Sequence, residues 1–404
     1  MAVIVQKYGG TSVGSLARIE AVADNIVETR RKGHQVVVVL SAMAGETNRL
    51  LSLAKSIDEQ PATRELDMLL ASAEQVSISL LTIALIKRGF SAISLLAHQI
   101  GIHTDNSFGR ARIKSVSSKR LLQALEQEQV VVVAGFQGQD DEQNVTTLGR
   151  GGSDTSAIAV AVALSASECQ IFTDVDGIYS ADPRLEPLAH KIESIAFNEM
   201  LVMASLGAKV LQNRAVEYAM RHNMPIRVLS SFEPGQGTKV MNEDVLVAET
   251  KNLNPVTNIA HHKLEALIEV EGVEDHQTIA TMFTLLGEAG IEVDMIGCIL
   301  LDCCKYDVKF SASRDNIRQI DDILQKMTQK NLIRAIQYND KVVKLSAVGI
   351  GMKSHSGIAG QFFTAFTEEN IKILLISTSE INISVLIDES ALTQGVRCLH
   401  RTFM

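Results

Sequence analysis

Tryptophan is absent from the 404 residues, and Tyr and Phe number only 5 and 12. Stacking successive bases takes aromatic platforms, so this scarcity argues against a nucleic-acid binder and leaves the core to aliphatic packing. A positive excess is missing too: 38 Lys and Arg face 47 Asp and Glu, a formal net charge of -9. Most of the surface therefore repels a phosphate backbone, and an anionic ligand must be held by a local nest of donors. The five cysteines, Cys169, Cys298, Cys303, Cys304 and Cys398, are odd in number and lack paired metal spacing. That fits reduced thiols in a cytosol, with the adjacent Cys303 and Cys304 read as strand residues. MAVIVQKYGG lacks the order of a secretory signal, and no apolar run is expected to approach a membrane span. The expectation is a cytoplasmic chain without nucleic-acid or membrane partners.

The length exceeds what one hydrophobic core organises, so two or three domains are expected. Up to about residue 232, VIVQ, QVVVVLSAM, FSAISLL, VVVVAGFQG, CQIFTDV and PIRVLSS alternate with helical patterns at residues 15–31, 64–88, 117–128, 153–166 and 198–221. Continuous apolarity marks strands buried on both faces, and the alternation predicts an α/β, three-layer αβα sandwich on a largely parallel sheet. Residues 233–260, with EPGQGTK and NEDVLVAETKNLNP, read as a linker. Beyond it the order βαββαβ appears, ferredoxin-like, followed by a second unit that lacks its sixth strand. The spare candidate VTNIAHH is inferred to complete the second unit, with the first as an insertion; two unrelated α+β lobes are the alternative. The expected division is residues 1–245, a linker and strand at 246–260, and modules at 261–338 and 339–404.

Chemistry concentrates at strand ends. KYGGTSVG (Lys7–Gly14) pairs glycines, which let backbone N–H groups approach an anion, with the point charge of Lys7 and a helix expected to follow. A plain strand-to-helix turn would use the same glycines. Neither GxxxxGK[ST] nor GxGxxG occurs. SAMAGET (Ser41–Thr47) and TTLGRGGSDTSA (Thr146–Ala157) end further strands on what should be one sheet edge. Arg150 offers a planar fork for a carboxylate, and Ser153 or Asp154 could cap the next helix, a role as open to Asp154 as a catalytic one. TDVDGIYSADPR (Thr173–Arg184) is either a functional loop or an ordinary turn built on DG and DP.

Taken in order, KYGGTSVG, SAMAGETN, ELDMLLASAEQVS, VAGFQG, TTLGRGGSDTSA, TDVDGIYSADPR and MASLGAKVLQNRAVEYA resemble the aspartokinases of the amino-acid kinase family. VGIGMKSHSGIAGQFF and LLISTSEINISVLI resemble a regulatory ACT domain, so the resemblance implies an amino-acid kinase fold followed by a pair of ferredoxin-like ACT domains. It implies ATP-dependent phosphorylation of the side-chain carboxylate of L-aspartate, the first step toward lysine, threonine and methionine, with Mg²⁺ on the ATP phosphates and no firm metal residue. Lys7, Gly9, Gly10 and Ser41 would surround the transferring phosphoryl group, Asp154 would orient Lys7, and Lys209 would add charge near the nucleotide. Thr173, Asp174, Tyr179 and Arg184 would line the nucleotide, while Thr47, Glu74, Arg150, Gly151 and Ser153 would hold aspartate. Without the motif, Glu74 would read as a solvent-facing helix residue and Lys209 as an ordinary helix-end lysine.

The resemblance also implies a lysine or threonine effector and a homo-oligomer joined through ACT domains, with Asp294, Ser379 and Glu380 near any effector site. The first module departs from the pattern: VEGVEDHQTIATMF has no Pro-Gly, and Cys298 stands where Gln is usual. A thiol is a weaker hydrogen-bond partner than an amide. Ser356 replaces a usual Pro in the second module. Rival readings are an acetylglutamate or glutamate kinase, or an inactive amino-acid sensor; a fused homoserine dehydrogenase is not expected at this length.

Overall fold

The computed structural model describes residues 2–206, 210–249, 254–301 and 305–404. Lys209, Cys303 and Cys304 lie outside the described residues. The chain divides into two compact units. One holds residues 2–178, 191–204 and 210–249; the other holds 179–190, 205–206 and the rest of the chain from 254.

The first unit begins β1 (Val3–Tyr8), α1 (Leu16–Arg31), β2 (Gln35–Leu40), α2 (Glu46–Ile57), α3 (Thr63–Leu70), α4 (Ser72–Lys87), β3 (Ala92–Leu95), β4 (Ile102–Thr104) and β5 (Ile113–Val116). It continues α5 (Lys119–Glu126), β6 (Val130–Ala134), β7 (Gln137–Gln139), β8 (Val145–Thr147), α6 (Gly152–Ala163), β9 (Glu168–Thr173), β10 (Ile178–Tyr179), β11 (Lys191–Ile192) and β12 (Ser194–Ala196). It closes with α7 (Phe197–Ser205), α8 (Asn213–Arg221), β13 (Ile226–Ser230), β14 (Thr238–Met241) and α9 (Glu243–Glu249).

The main sheet has the order β12-β14-β13-β9-β1-β2-β6-β3. From β3 to β13 it is parallel throughout, and only β14 runs antiparallel to β13. The valine runs explain this: Val36–Val39 and Val130–Val133 are all fully buried, as strands covered on both faces must be. α1 and α4 pack Val22, Ile26, Ile78 and Leu81 on the Val36, Val38 and Val132 side, and α6 lies across β1, β2 and β9 beside α8. Parallel pairing sends the carboxyl ends of β1, β2, β6 and β9 to one edge.

Several local expectations are corrected. The stretch 64–88 is two helices meeting at Ala71, and 198–221 is likewise α7 and α8. α2 is not among the expected helices; it starts inside the SAMAGET stretch read as a strand end and buries only Leu50. The 233–260 linker contains β14, which joins the main sheet, and α9. A second small sheet, β5-β4-β7-β8, was also unforeseen; its strands are three or four residues long and carry almost no periodic signal. Thr63–Lys87 is by length and composition apolar enough to cross a membrane, contrary to expectation, yet half of its most apolar window is buried inside the fold.

The second unit comprises β15 (Asn258–Val273), α10 (His276–Glu288), β16 (Val293–Leu300), β17 (Tyr306–Ser313), α11 (Ile317–Gln329), β18 (Ala335–Val348), α12 (Ile358–Glu368), β19 (Ile373–Thr378), β20 (Asn382–Asp388) and α13 (Leu392–Phe403). Its sheet order is β16-β17-β15-β18-β20-β19. Asn258–His262 pairs antiparallel with Lys344–Val348, and Leu267–Glu271 pairs with Ala335–Asn339. Each half thus has a ferredoxin-like strand order. The expected divisions at 260/261 and 338/339 fall inside β15 and β18, each of which runs on through the division as one strand. α10 and α11 cover one core, including Met282, Leu286, Ile320 and Leu324. α12 and α13 cover the other with Phe362, Phe366, Val396 and Leu399.

Candidate active site

A cavity of about 260 Å³ opens at the carboxyl edge of the main sheet. Lys7, Gly10, Ser41, Thr47, Glu74, Arg150, Gly151, Ser153 and Asp154 all line it, together with Met43 and Phe136. They come from five separate stretches of the chain, brought together because β1, β2 and β6 lie side by side. Gly10 permits a close backbone approach: a Cβ there would sit 3.0 Å from the Ala42 carbonyl oxygen. Gly9 adjoins it, its N–H donating to the Phe172 carbonyl at the end of β9.

Lys7 points into the cavity at the end of β1, and its ammonium lies 2.6 Å from Asp154 Oδ1, with both side chains about nine-tenths buried. The expectation that Ser153 or Asp154 might cap α6 is not met. The N-cap is Gly151, at φ +72° with no side-chain cap, and both residues sit in the first turn. A Cβ on Gly151 would fall 1.9 Å from Gln212 Cγ, so glycine serves both the left-handed backbone and the close contact there. Residues at the N-terminal ends of α2 and α6 line the cavity, where the positive ends of the helix dipoles favour an anion. α1 begins at Leu16, capped by Ser15, in line with the helical pattern at residues 15–31, so its N-terminus stands several residues beyond the glycine pair.

Glu74 is 3% exposed, in the first turn of α4. Its Oε1 accepts from the Ala42 N–H at 3.0 Å, while Oε2 is buried without a partner. Burial pushes the carboxyl up to about 8, against a smaller opposing effect from the Ala42 N–H. Such a carboxyl must give up its proton to bind an ammonium, which would then supply Oε2 with its missing partner. The Ser77 hydroxyl donates to the Ser41 carbonyl at 2.9 Å and ties α4 to the β2 loop. Arg150 is exposed at the rim.

Thr173 and Asp174 follow β9, next to β1, with the Thr173 hydroxyl donating to Asp174 at 3.0 Å. Tyr179 and Arg184 belong to the second unit, where Arg184 pairs with Asp182 at 2.8 Å. Asp294 pairs with the largely buried Lys344 and lines a separate cavity of about 670 Å³ with His262 and Glu265. Ser379 and Glu380 form the β19–β20 turn and do not line that cavity.

Asp67 and Ser77 were assigned no role from the sequence. Their signal was present: Asp67, Leu70, Glu74, Ser77, Ile78 and Leu81 follow helical spacing, so the polar members stand within an apolar stripe.

A family model described as amino acid kinase family matches residues 2–230, and one described as ACT domain matches residues 345–403. A Pseudomonas putida protein named aspartate kinase is 47% identical over 406 residues, spanning 100% of this chain and 98% of its own. The chain belongs to the aspartate kinase family. Escherichia coli aspartokinase III, solved in complex with aspartate and ADP in its R-state, superposes with a TM-score of 0.78 at 26% identity, over 99% of each chain. The same enzyme with lysine and aspartate in its T-state gives 0.80 at 26% identity, over 100% of this chain and 99% of its own.

Proposed function

We propose that the protein transfers the γ-phosphoryl group of ATP to the side-chain carboxylate of L-aspartate, giving ADP and 4-phospho-L-aspartate. The convergence of Lys7, Gly10, Glu74, Arg150 and Asp154 on one cavity carries this reading. Asp154 holds Lys7 toward the transferring phosphoryl group, Gly9 and Gly10 leave room for it, and Lys7, Ser41 and the dipole of α6 share its negative charge. Arg150, with Gly151 and Ser153, receives the α-carboxylate, while Glu74 and Thr47 take the ammonium. The two anchors leave the β-carboxylate facing the phosphate. Its ordinary pKa is about 3.9, so it is already ionised at neutral pH and needs no general base. One carboxylate oxygen forms the new P–O bond as the bond to the β-phosphate oxygen breaks, and that electron pair leaves with ADP.

Thr173, Asp174, Tyr179, Arg184 and Lys209 are assigned to the nucleotide. Mg²⁺ would be held mainly by the ATP phosphates, because Asp154 is already paired with Lys7 and Glu74 is taken up by the ammonium; it would neutralise phosphate charge. The second unit is assigned to regulation by lysine or threonine through Asp294, Ser379 and Glu380, and to joining copies of the chain. The exposed Ile296, Ile299 and Leu300 of the edge strand β16 suit the latter role. The product would enter the lysine, threonine and methionine branches, in a cytoplasmic setting.

The test is ADP release coupled to a chromogenic readout, with aspartate, glutamate and N-acetylglutamate compared at equal concentration. Aspartate is expected to be preferred by at least about a hundredfold, because N-acetylglutamate has no ammonium for Glu74. Equal or better turnover of either alternative sinks the assignment. Lysine and threonine, singly and together, are expected to inhibit; flat curves to millimolar concentration would remove the feedback role.

A further inference from the structure

Asp67 is a carboxylate buried to 1% exposure on α3, with no part in the chemistry above. It accepts three hydrogen bonds: Oδ2 from the N–H of Thr147 at 2.7 Å and of Gly109 at 2.9 Å, and Oδ1 from the Thr147 hydroxyl at 2.7 Å. All three donors are uncharged, so its burial costs desolvation without a charge partner among them, and what it supplies is geometry.

Its place in the chain says which geometry. Thr147 ends β8, and Arg150 follows three residues later; in the other direction, Glu74 lies seven residues beyond Asp67 on the same helical stripe. Asp67 therefore ties the helices that carry the ammonium anchor to the strand that delivers the carboxylate anchor. A second tie runs parallel, from Gln137 Nε2 on β7 to the Ala71 carbonyl between α3 and α4, at 3.0 Å. From the opposite side the Arg214 guanidinium donates to the Leu148 and Ala111 carbonyls, both at 2.9 Å. Gly149, at φ +75°, allows the Gly109 carbonyl so near that a Cβ would be 2.9 Å from it.

Resting on the proposed roles of Glu74 and Arg150, we infer that Asp67 is a positioning residue that sets the separation of these two anchors, and so selects a substrate carrying ammonium and carboxylate on one carbon. The pocket would read α-amino acids by that spacing, with Asp67 acting through Thr147.

The experiment measures KM for aspartate and for ATP, kcat and thermal midpoint in Asp67→Ala, Asp67→Asn and Arg150→Ala, and the preference for aspartate over β-alanine and succinate, each of which keeps one anchor only. Misplacing a positioned group by an ångström costs up to about a hundredfold, so Asp67→Ala is expected to raise the aspartate KM roughly tenfold to a hundredfold. KM for ATP should stay within about twofold, because the change leaves the phosphate side in place. The preference for aspartate should shrink by a similar factor. Asp67→Asn should recover most of the loss, since its amide oxygen still accepts both N–H groups and its NH₂ can donate to the Thr147 hydroxyl. A folded Asp67→Ala with unchanged aspartate KM, or with both KM values raised equally, overturns the positioning role. If that variant does not fold, Thr147→Val must show the same KM split at smaller size, and an unmoved KM there overturns the role as well. An unmoved aspartate KM in Arg150→Ala sinks the reading of the anchors and this inference with it; a raised one beside an unmoved Asp67→Ala sinks the inference alone.

Discussion

The two units translate sequence into site by different rules. In the first, residues picked from motifs scattered between Lys7 and Asp154 line one small cavity. In the second, Asp294 lines a cavity that Ser379 and Glu380 do not share. Sheet direction accounts for the contrast. A parallel sheet delivers the carboxyl end of each strand to the same edge, so motifs at strand ends must meet. An antiparallel sheet sends successive strand ends to opposite edges, and β15 and β18 each run through two modules, so neighbouring motifs need not meet at all.

The contrast breaks most decisively at Lys7. Lys7→Ala is expected to lower kcat by about 10³, as loss of a preorganised charge-stabilising group does, with the thermal midpoint shifted by only a few degrees. Near-wild-type turnover would show that the shared edge is not the site. Glu74→Gln comes next: an aspartate KM raised roughly tenfold to a hundredfold with ATP KM unmoved, the size expected for a lost charge-assisted contact.

The same residue predicts a pH dependence. Its carboxyl rises from an ordinary 4.5 to about 8 in the fold, so the native protein keeps a proton that the unfolded chain has released. Its contribution to stability is complete below about pH 4.5 and is lost as pH rises through about 8, with a slope of at most about 1.4 kcal/mol per pH unit. Glu74→Gln should flatten that part of a denaturation-midpoint series, and saturating aspartate should flatten it in the wild type. An identical slope in wild type and variant would place the titration elsewhere. The smallest effect is expected in the second unit: Asp294→Asn should shift the inhibition midpoint for lysine by about twofold to fivefold, the range of a partly exposed ion pair. A shift as large as that of Glu74→Gln for aspartate would erase the distinction between the units.

Much of the catalytic cavity was legible because glycine pairs and buried valine runs are local signals. Val36–Val39 announces a strand covered on both faces, and Gly9-Gly10 a backbone that something approaches closely. Less legible were α2, which starts inside the SAMAGET stretch read as a strand end, and β14, a four-residue strand inside a turn-rich stretch. Asp154 illustrates the ambiguity that remained. Ser or Asp ahead of a helix usually signals a cap, and only the fold shows the cap at Gly151 and the carboxylate beside Lys7. Tyr179 and Arg184, read together with Thr173, belong to a different unit, because the chain passes from one to the other within a single loop.

The order of most strands and helices and the parallel direction of the main sheet follow from residue type and spacing, since these depend on periodicity and on local backbone freedom. Which carboxyl carries a proton, which caps nothing and pairs with a lysine, and which is buried while tying α3 to Thr147 and Gly109 was decided by tertiary packing. Burial, dielectric and the reach of a hydrogen bond exist only once distant segments are in contact, and Glu74, Asp154 and Asp67 differ in those alone.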